Sequence, residues 1–173
     1  MKTKFSWIFY CLVSLLLSQS LSAAERFVTN ESNGFVWIQQ GKAYPILVDS
    51  REDKGVVRAV ANLQTDAGKV TGITPEIIYS VAGNRMLIIG SIENSSWIKQ
   101  LLKAGKINAA DLQGKREKYI LQMVKQPMEG VDEAVVIAGS DKRGTIYGIY
   151  ELSQQMGVSP WYFWADVPVE KHD

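Results

Sequence analysis

The chain has 173 residues, with 19 Lys and Arg side chains against 18 Asp and Glu, and with one histidine and one cysteine. This nearly neutral balance argues against nucleic acid as the partner, because binding to a phosphate backbone needs a clustered positive surface. The only cysteine, Cys11, lies in an apolar N-terminal stretch, so a domain beginning after that stretch has no disulfide and no thiol site.

The N-terminus has the three parts of a secretory signal peptide. Two lysines precede an apolar stretch at residues 5–17, and Ser22 and Ala24 stand at the −3 and −1 positions of a cleavage site. A membrane-spanning helix needs about 20 apolar residues, so an N-terminal anchor is the weaker alternative. We expect residues 1–24 to be removed on export. The exported domain then begins near Glu25 and carries 17 basic and 18 acidic residues.

Six apolar runs bounded by turn residues predict β-strands in the rest of the chain. They are residues 35–38, 45–48, 77–81, 86–89, 119–124 and 135–138. These strands contain few polar alternations, which favours burial on both faces at the centre of a sheet.

Three helices are expected between the strands. Each is preceded by side chains that cap helices, namely Ser50 with Asp53, Ser95 or Ser96, and Asp141. Glycines are expected to end them, at Gly68, Gly105 and Gly157. The alternation predicts an α/β fold of the two-layer kind, in which about three helices pack on a mixed β-sheet.

Residues 139–144, Gly-Ser-Asp-Lys-Arg-Gly, have the spacing of a phosphate-binding loop between a strand and a helix. A phosphate-binding loop continues with Lys and Ser or Thr, whereas this one continues with Thr and Ile. We therefore favour a helix capped by Asp141 over a nucleotide site. Gly144 and Gly148 lie one helical turn apart and each costs about 0.5–1 kcal/mol relative to alanine, so we expect them to permit close helix–sheet packing.

No catalytic or metal-binding constellation is evident. The one histidine, His172, lies in the C-terminal tail, where nothing rigid would orient it in a catalytic triad. There is no HExxH motif and no second histidine for zinc. The carboxylates that might form a glycosidase pair do not stand out from solvated ones. They are Glu117, Asp132, Glu133, Asp141, Glu151 and Asp166. We expect no catalytic residue, no cofactor and no metal in this chain.

The richest aromatic cluster is Trp-Tyr-Phe-Trp at residues 161–164. In an extended segment, Trp161 and Trp164 would lie on opposite faces, so one face can close the domain's own core while the other needs a cover. Packing against a neighbouring domain is favoured over own-core packing and over a ligand platform. Asp166 is expected to cap a turn or to face substrate at the rim of a neighbouring active site.

The run IAGSDKRGTIYGIYELSQQMGVSPWYFWADVP, residues 137–168, resembles the end of the N-terminal domain of glycoside hydrolase family 115, the xylan α-1,2-glucuronidases. The markers are GSDKRGTIYGIY and SPWYFWADVP, and the resemblance extends back to about residue 45. A looser form of the pattern is shared with the N-terminal domains of β-hexosaminidase-like and other glucuronidase enzymes.

The resemblance implies a secreted bacterial enzyme, periplasmic or extracellular, that removes glucuronic acid or its 4-O-methyl form from xylan side chains. Family members are similar to inverting hydrolases with two catalytic carboxyl groups. Those groups belong to a (β/α)-barrel that follows this domain, and a barrel takes about 250 residues. We therefore expect the chain to be truncated before the barrel and to be inactive alone.

The resemblance also implies a division of the chain. Residues 25–158 would form the accessory domain, and residues 159–173 would lead into the barrel, which is its expected partner. Trp161, Trp164 and Asp166 are the candidates for the inter-domain contact or the substrate rim. No membrane contact is expected after signal cleavage. The alternative is a stand-alone module that binds carbohydrate or another protein.

Overall fold

The structure is a computed structural model that describes residue 28 and residues 34–171. The predicted signal peptide, residues 1–24, and His172 lie outside the described residues. Within the described residues, no helix combines the length and the apolar character needed to cross a membrane.

The described part of the chain contains seven strands, four α-helices and one 3₁₀ turn at Ala109–Asp111. The strands are β1 (Ile38–Gln39), β2 (Lys42–Ala43), β3 (Ile46–Val48), β4 (Ile77–Ile78), β5 (Arg85–Ser91), β6 (Tyr119–Met128) and β7 (Val131–Gly139). The helices are α1 (Lys54–Thr71), α2 (Ser96–Lys103), α3 (Lys142–Gln155) and α4 (Tyr162–Ala165).

The main sheet has five strands in the order β4-β3-β5-β7-β6. Strands β4, β3, β5 and β7 are parallel, whereas β6 runs antiparallel to β7. β1 and β2 form a separate antiparallel hairpin. The predicted mixed sheet with three main helices is confirmed. The strands expected at 77–81 and 86–89 correspond to β4 and β5, and β3 lies between them in the sheet.

Both faces of the sheet are covered, as the apolar strands predict. Ile46 and Val48 belong to a core that contains side chains of α1 and α3, and Leu47 between them belongs to a second core with α2. Successive side chains of a strand point to opposite faces, so continuous apolar runs can supply both cores. Burying one such side chain contributes about 1.5–3 kcal/mol.

Helix α1 begins where it is expected and ends later. The Asp53 carboxylate accepts a hydrogen bond from the Gly55 N–H at 2.8 Å. The predicted end at Gly68 is wrong, because Gly72 ends the helix in the left-handed conformation (φ 74°) and its N–H bonds to the Gly68 carbonyl. Gly68 instead makes room for the following loop, since an added Cβ would lie 2.7 Å from Thr74 Oγ1.

The other caps agree with the predictions. Ser95 Oγ accepts from the Ile98 N–H at the start of α2, and Asp141 accepts from the Gly144 N–H at the start of α3. Gly105 and Gly157 follow the ends of these helices with φ of 65° and 109°. Both residues occupy backbone conformations that favour glycine.

Candidate functional site

Ligands of open parallel α/β sheets bind outside the carboxyl ends of the strands, where neighbouring crossovers leave to opposite faces. Here that place lies between β3 and β5, because α1 follows β3 onto one face and α2 follows β5 onto the other. Polar side chains collect there. We define this polar cluster as Asp49, Glu52, Ser91, Ser95 and Ser96, of which the first four are buried.

Glu52 binds the end of β5. Its Oε1 accepts hydrogen bonds from the Ser91 N–H at 2.6 Å and from the Ser91 hydroxyl at 3.0 Å. Gly90 permits this approach, because an added Cβ would lie 3.0 Å from Glu52 Oε1 and 2.5 Å from the Ser95 Cβ. The space that a ligand would need at this point is filled by the protein's own side chains.

Asp49 connects β3 to helix α2. Its Oδ2 accepts from the Ser96 N–H at 2.7 Å and from the Ser96 hydroxyl, and both oxygens contact the Arg51 guanidinium at 3.1 Å. The hydrogen bond from Arg51 is the main reason that the pKa of Asp49 lies well below its usual range, and the Ser96 bonds add to it against the opposing effect of burial.

The hydrogen bonds of the polar cluster stabilise the fold rather than prepare a group for catalysis. Asp49 is held as a carboxylate by Arg51 and Ser96, so it is a poor proton donor. Glu52 directs an oxygen to a backbone N–H inside the fold rather than to an open cleft. Within residues 34–171, no three His, Cys, Asp or Glu side chains are grouped so as to hold a metal ion.

The glycine loop at residues 139–144 is a helix cap. Asp141 Oδ1 accepts from the Gly144 N–H and Oδ2 accepts from the Glu117 N–H, both at 2.8 Å. Burial acts to raise the pKa of Asp141, but these backbone donors outweigh it and the net pKa is lowered. The protein's own carboxylate thus occupies the anion position at the N-terminus of α3.

The two glycines of α3 pack against the sheet as predicted. A Cβ on Gly144 would lie 2.1 Å from the Lys118 carbonyl oxygen, and a Cβ on Gly148 would lie 2.7 Å from the Ile137 Cγ2. These glycines therefore fix the distance between helix and sheet, and they form no ligand loop.

The aromatic segment is helical, so the alternation of side chains described for an extended segment does not apply. Trp161 precedes α4, and Trp164 lies within it. Trp161 is 65% exposed, whereas Tyr162 packs against the core of the α1–α3 face, with Lys69 Nζ 4.2 Å from its ring centroid. Of the predicted site residues, Trp161 is therefore available for a partner.

Asp166 ends α4. Its backbone is in the left-handed conformation (φ 49°, ψ 34°), and its side chain is exposed. This position is compatible with the expected turn before Pro168. Trp161, Trp164 and Asp166 thus belong to one short segment made of a turn and a helix. Their role at a domain contact or at a substrate rim stays a prediction.

The polar cluster and the aromatic segment lie at opposite ends of the domain. Helix α1 begins next to the polar cluster, and Lys69 in its last turn reaches Tyr162. A helix of 18 residues is about 27 Å long.

Asp49, Glu52 and Ser91 have no role that their neighbours in the sequence indicate. Glu52 and Ser91 are 39 positions apart and Asp49 and Ser96 are 47 apart, so their spacing does not indicate contact, and only the pairing of Asp49 with Arg51 is local. One usable indication was present: Asp49 and Ser91 each end an apolar run, and polar residues at the carboxyl ends of neighbouring parallel strands meet in space.

The sequence matches the family model described as "Glycosyl hydrolase family 67 N-terminus" over residues 32–152. One solved structure with this fold is described as "A novel family GH115 4-O-Methyl-alpha-glucuronidase, BtGH115A, with specificity for decorated arabinogalactans". It is 34% identical with a TM-score of 0.64, and the alignment covers 78% of this chain and 16% of that protein. No curated protein matches the sequence. The chain thus spans less than a fifth of the length of this relative.

Proposed function

We propose that this chain, which belongs to the family described as glycosyl hydrolase family 67 N-terminus, is the non-catalytic N-terminal domain of an exported α-glucuronidase of the family 115 type. Family membership makes it the N-terminal domain of a glycoside hydrolase. The narrower assignment is supported by the 34% identity to a family 115 α-glucuronidase and by the motif SPWYFWADVP. Export is proposed from the signal-like residues 1–24.

The main support for a non-catalytic role is that the carboxylates of the polar cluster are hydrogen-bonded to other residues of the same domain. Glu52 is bound by Ser91, and Asp49 is bound by Arg51 and Ser96. Catalysis of glycoside hydrolysis needs two carboxyl groups that flank a substrate-sized space, one of them ready to donate a proton. The buried carboxyl groups at the expected ligand position do not offer that arrangement.

The partner that we propose for this domain is the catalytic barrel of the same polypeptide. Trp161 supports it, because a Trp side chain that is 65% exposed places a large apolar surface in water. Tyr162 beside it is anchored to the core, so the segment has a fixed position from which Trp161 can contact another domain.

For the substrate we propose glucuronic acid, or its 4-O-methyl form, on xylan side chains. A purified full-length protein that contains this domain and the proposed barrel should release the acid from glucuronoxylan oligosaccharides. The matched assay uses arabinogalactan, the polysaccharide named for the family 115 relative. Release from arabinogalactan alone would contradict the xylan assignment, and release from neither would contradict an α-glucuronidase.

A stand-alone carbohydrate-binding module is the second candidate, and the exposure of Trp161 is the observation that favours it. Titration of the chain with glucuronoxylan oligosaccharides, followed by Trp fluorescence, separates the two. The domain proposal predicts no saturable change. Saturable quenching that Trp161→Ala abolishes would favour the module.

A further inference from the structure

Strand β6 (Tyr119–Met128) forms one border of the five-stranded sheet. It pairs with β7 on one side, and no strand of the described residues lies beyond it in the sheet order. At ten residues it is also the longest strand of the described chain. A long border strand presents a row of N–H and C=O groups that can bind another strand.

The hydrogen-bond pattern identifies which groups point outward. The Ser140 N–H donates to the Lys118 carbonyl at 2.8 Å, so the even-numbered residues after Lys118 bond to β7. The N–H and C=O groups of Tyr119, Leu121 and Met123 therefore point away from the sheet. Among residues 34–171, no turn, loop or side chain bonds to these six groups.

The two halves of β6 differ in how readily another strand can pair with them. The second half contains Lys125, a left-handed Gln126 (φ 47°), Pro127 and a register shift, all of which disfavour a further strand. The first half, residues 119–124, reads Tyr-Ile-Leu-Gln-Met-Val. It has no charge, no proline and no glycine, and Met123 is 46% exposed. Such a segment favours pairing between strands.

We propose that residues 119–124 of β6 pair antiparallel with the same residues of a second copy of this chain, about a two-fold axis at Leu121. In this register the outward groups of Leu121 meet each other, and those of Tyr119 meet those of Met123. All six outward groups of each copy then have partners, and the two sheets become continuous. A two-fold interface must be self-complementary in this way.

The charged residues that flank the pairing segment stay outside it. Glu117 leaves the strand before the pairing begins: its backbone is left-handed (φ 56°), its N–H donates to Asp141 Oδ2, and its carboxylate contacts Arg143 at 2.9 Å. No like charges therefore face each other across residues 119–124 of the two copies. On the α1–α3 face, the exposed Met123 side chain lies opposite Tyr119, which gives it an apolar neighbour.

The dimer is tested by light scattering and sedimentation of the chain from residue 25, which keeps every described element, over a range of concentrations. We expect a monomer–dimer equilibrium. Met123→Lys places a charge at the pairing segment and should weaken the dimer at least tenfold. Tyr79→Lys is the control, since Tyr79 is 53% exposed and follows the opposite border strand β4. A monomer at all concentrations, or a dimer that Met123→Lys leaves intact, would overturn the proposal.

Amide hydrogen exchange gives a second readout that a different dimer interface would not reproduce. Protection of the Tyr119, Leu121 and Met123 amides should rise with protein concentration. The amides of Ile120, Gln122 and Val124 bond to β7 and should be protected at every concentration. Equal behaviour of the two sets, or protection that does not depend on concentration, would contradict pairing with a second copy.

Discussion

The Glu52 carboxylate is bound to Ser91 through both the backbone and the side chain of the serine, at 2.6 Å from the N–H and 3.0 Å from the hydroxyl. Ser91 ends the strand β5 beside β3, and Glu52 lies between β3 and α1. The bond thus ties two parallel strands together at the end of the sheet where related folds bind ligands.

Weakening this acceptor should destabilise the domain. Glu52→Gln replaces a charged acceptor by a neutral one, and we expect a loss of about 1.5–3 kcal/mol in the free energy of unfolding. Urea denaturation followed by Trp fluorescence measures the change. Glu93→Gln is the control, because Glu93 is exposed. Equal midpoints for both variants would show that the Glu52–Ser91 bond is not structural.

Asp49 should make the domain sensitive to acid. Its pKa is lowered in the folded state, chiefly by Arg51, so its contribution to stability is present above the pKa of the unfolded chain and is lost as the pH falls below about 4. Asp49→Asn should therefore destabilise the domain at neutral pH. Its unfolding midpoint should approach that of the parent chain in acid. A constant difference at every pH would contradict this account.

Asp66 should have the opposite dependence on pH. Its carboxyl group is buried on α1, and burial raises its pKa despite opposing effects of Ser153 and Lys69. The charged form is therefore disfavoured in the folded state, and the cost grows as the pH rises above about 4. Asp66→Asn should stabilise the domain at neutral pH and have little effect in acid. Asp111→Asn, at an exposed position, is the control.

At Gly144 and Gly148 of α3, we expect the usual preference of a helix interior for alanine over glycine to be reversed. Alanine usually stabilises a helix interior by about 0.5–1 kcal/mol relative to glycine. Gly144→Ala should instead destabilise the domain by about 1–3 kcal/mol, because its Cβ would overlap the Lys118 carbonyl. Gly148→Ala should cost less, since the nearest atoms belong to side chains. Gly34→Ala serves as the control, because no atom lies within 4 Å of the place that a Cβ at position 34 would take.

In the aromatic segment, Tyr162 should contribute to the stability of the domain, whereas Trp161 should not. Tyr162→Ala removes packing against the core of the α1–α3 face and the contact with Lys69, so we expect a loss of about 2–4 kcal/mol. Trp161→Ala should change the unfolding free energy of the isolated chain by less than about 0.5 kcal/mol. Urea unfolding followed by far-UV circular dichroism avoids the change in Trp content. Comparable losses would show that Trp161 belongs to the domain's own core.

The sequence predicted the features that depend on local order. The capping roles of Asp53, Ser95 and Asp141 and the close packing at Gly148 are recognisable from neighbouring residues. The polar cluster was missed because Asp49 and Ser96 are 47 positions apart and meet only after the sheet has formed. The alternation of side chains that an extended segment 161–164 would give does not apply, because the segment forms a helical turn in which Tyr162 packs on the core.

The end of α1 also depends on a contact that the local sequence does not show. Gly68 and Gly72 are equally suitable for ending α1, and a glycine's freedom does not by itself say which of them adopts the left-handed conformation. The choice depends on Thr74, whose hydroxyl packs where a side chain at position 68 would lie. That contact is tertiary and has no local pattern.

We expect this domain to carry no glycosidase chemistry of its own. The most direct test is to incubate the purified chain with aldouronic acids and measure the release of glucuronic acid, with a family 115 α-glucuronidase as the positive control. We expect no release above that from a buffer blank. Saturable release that Glu52→Gln or Asp49→Asn reduces would contradict it, because the polar cluster would then be a catalytic site.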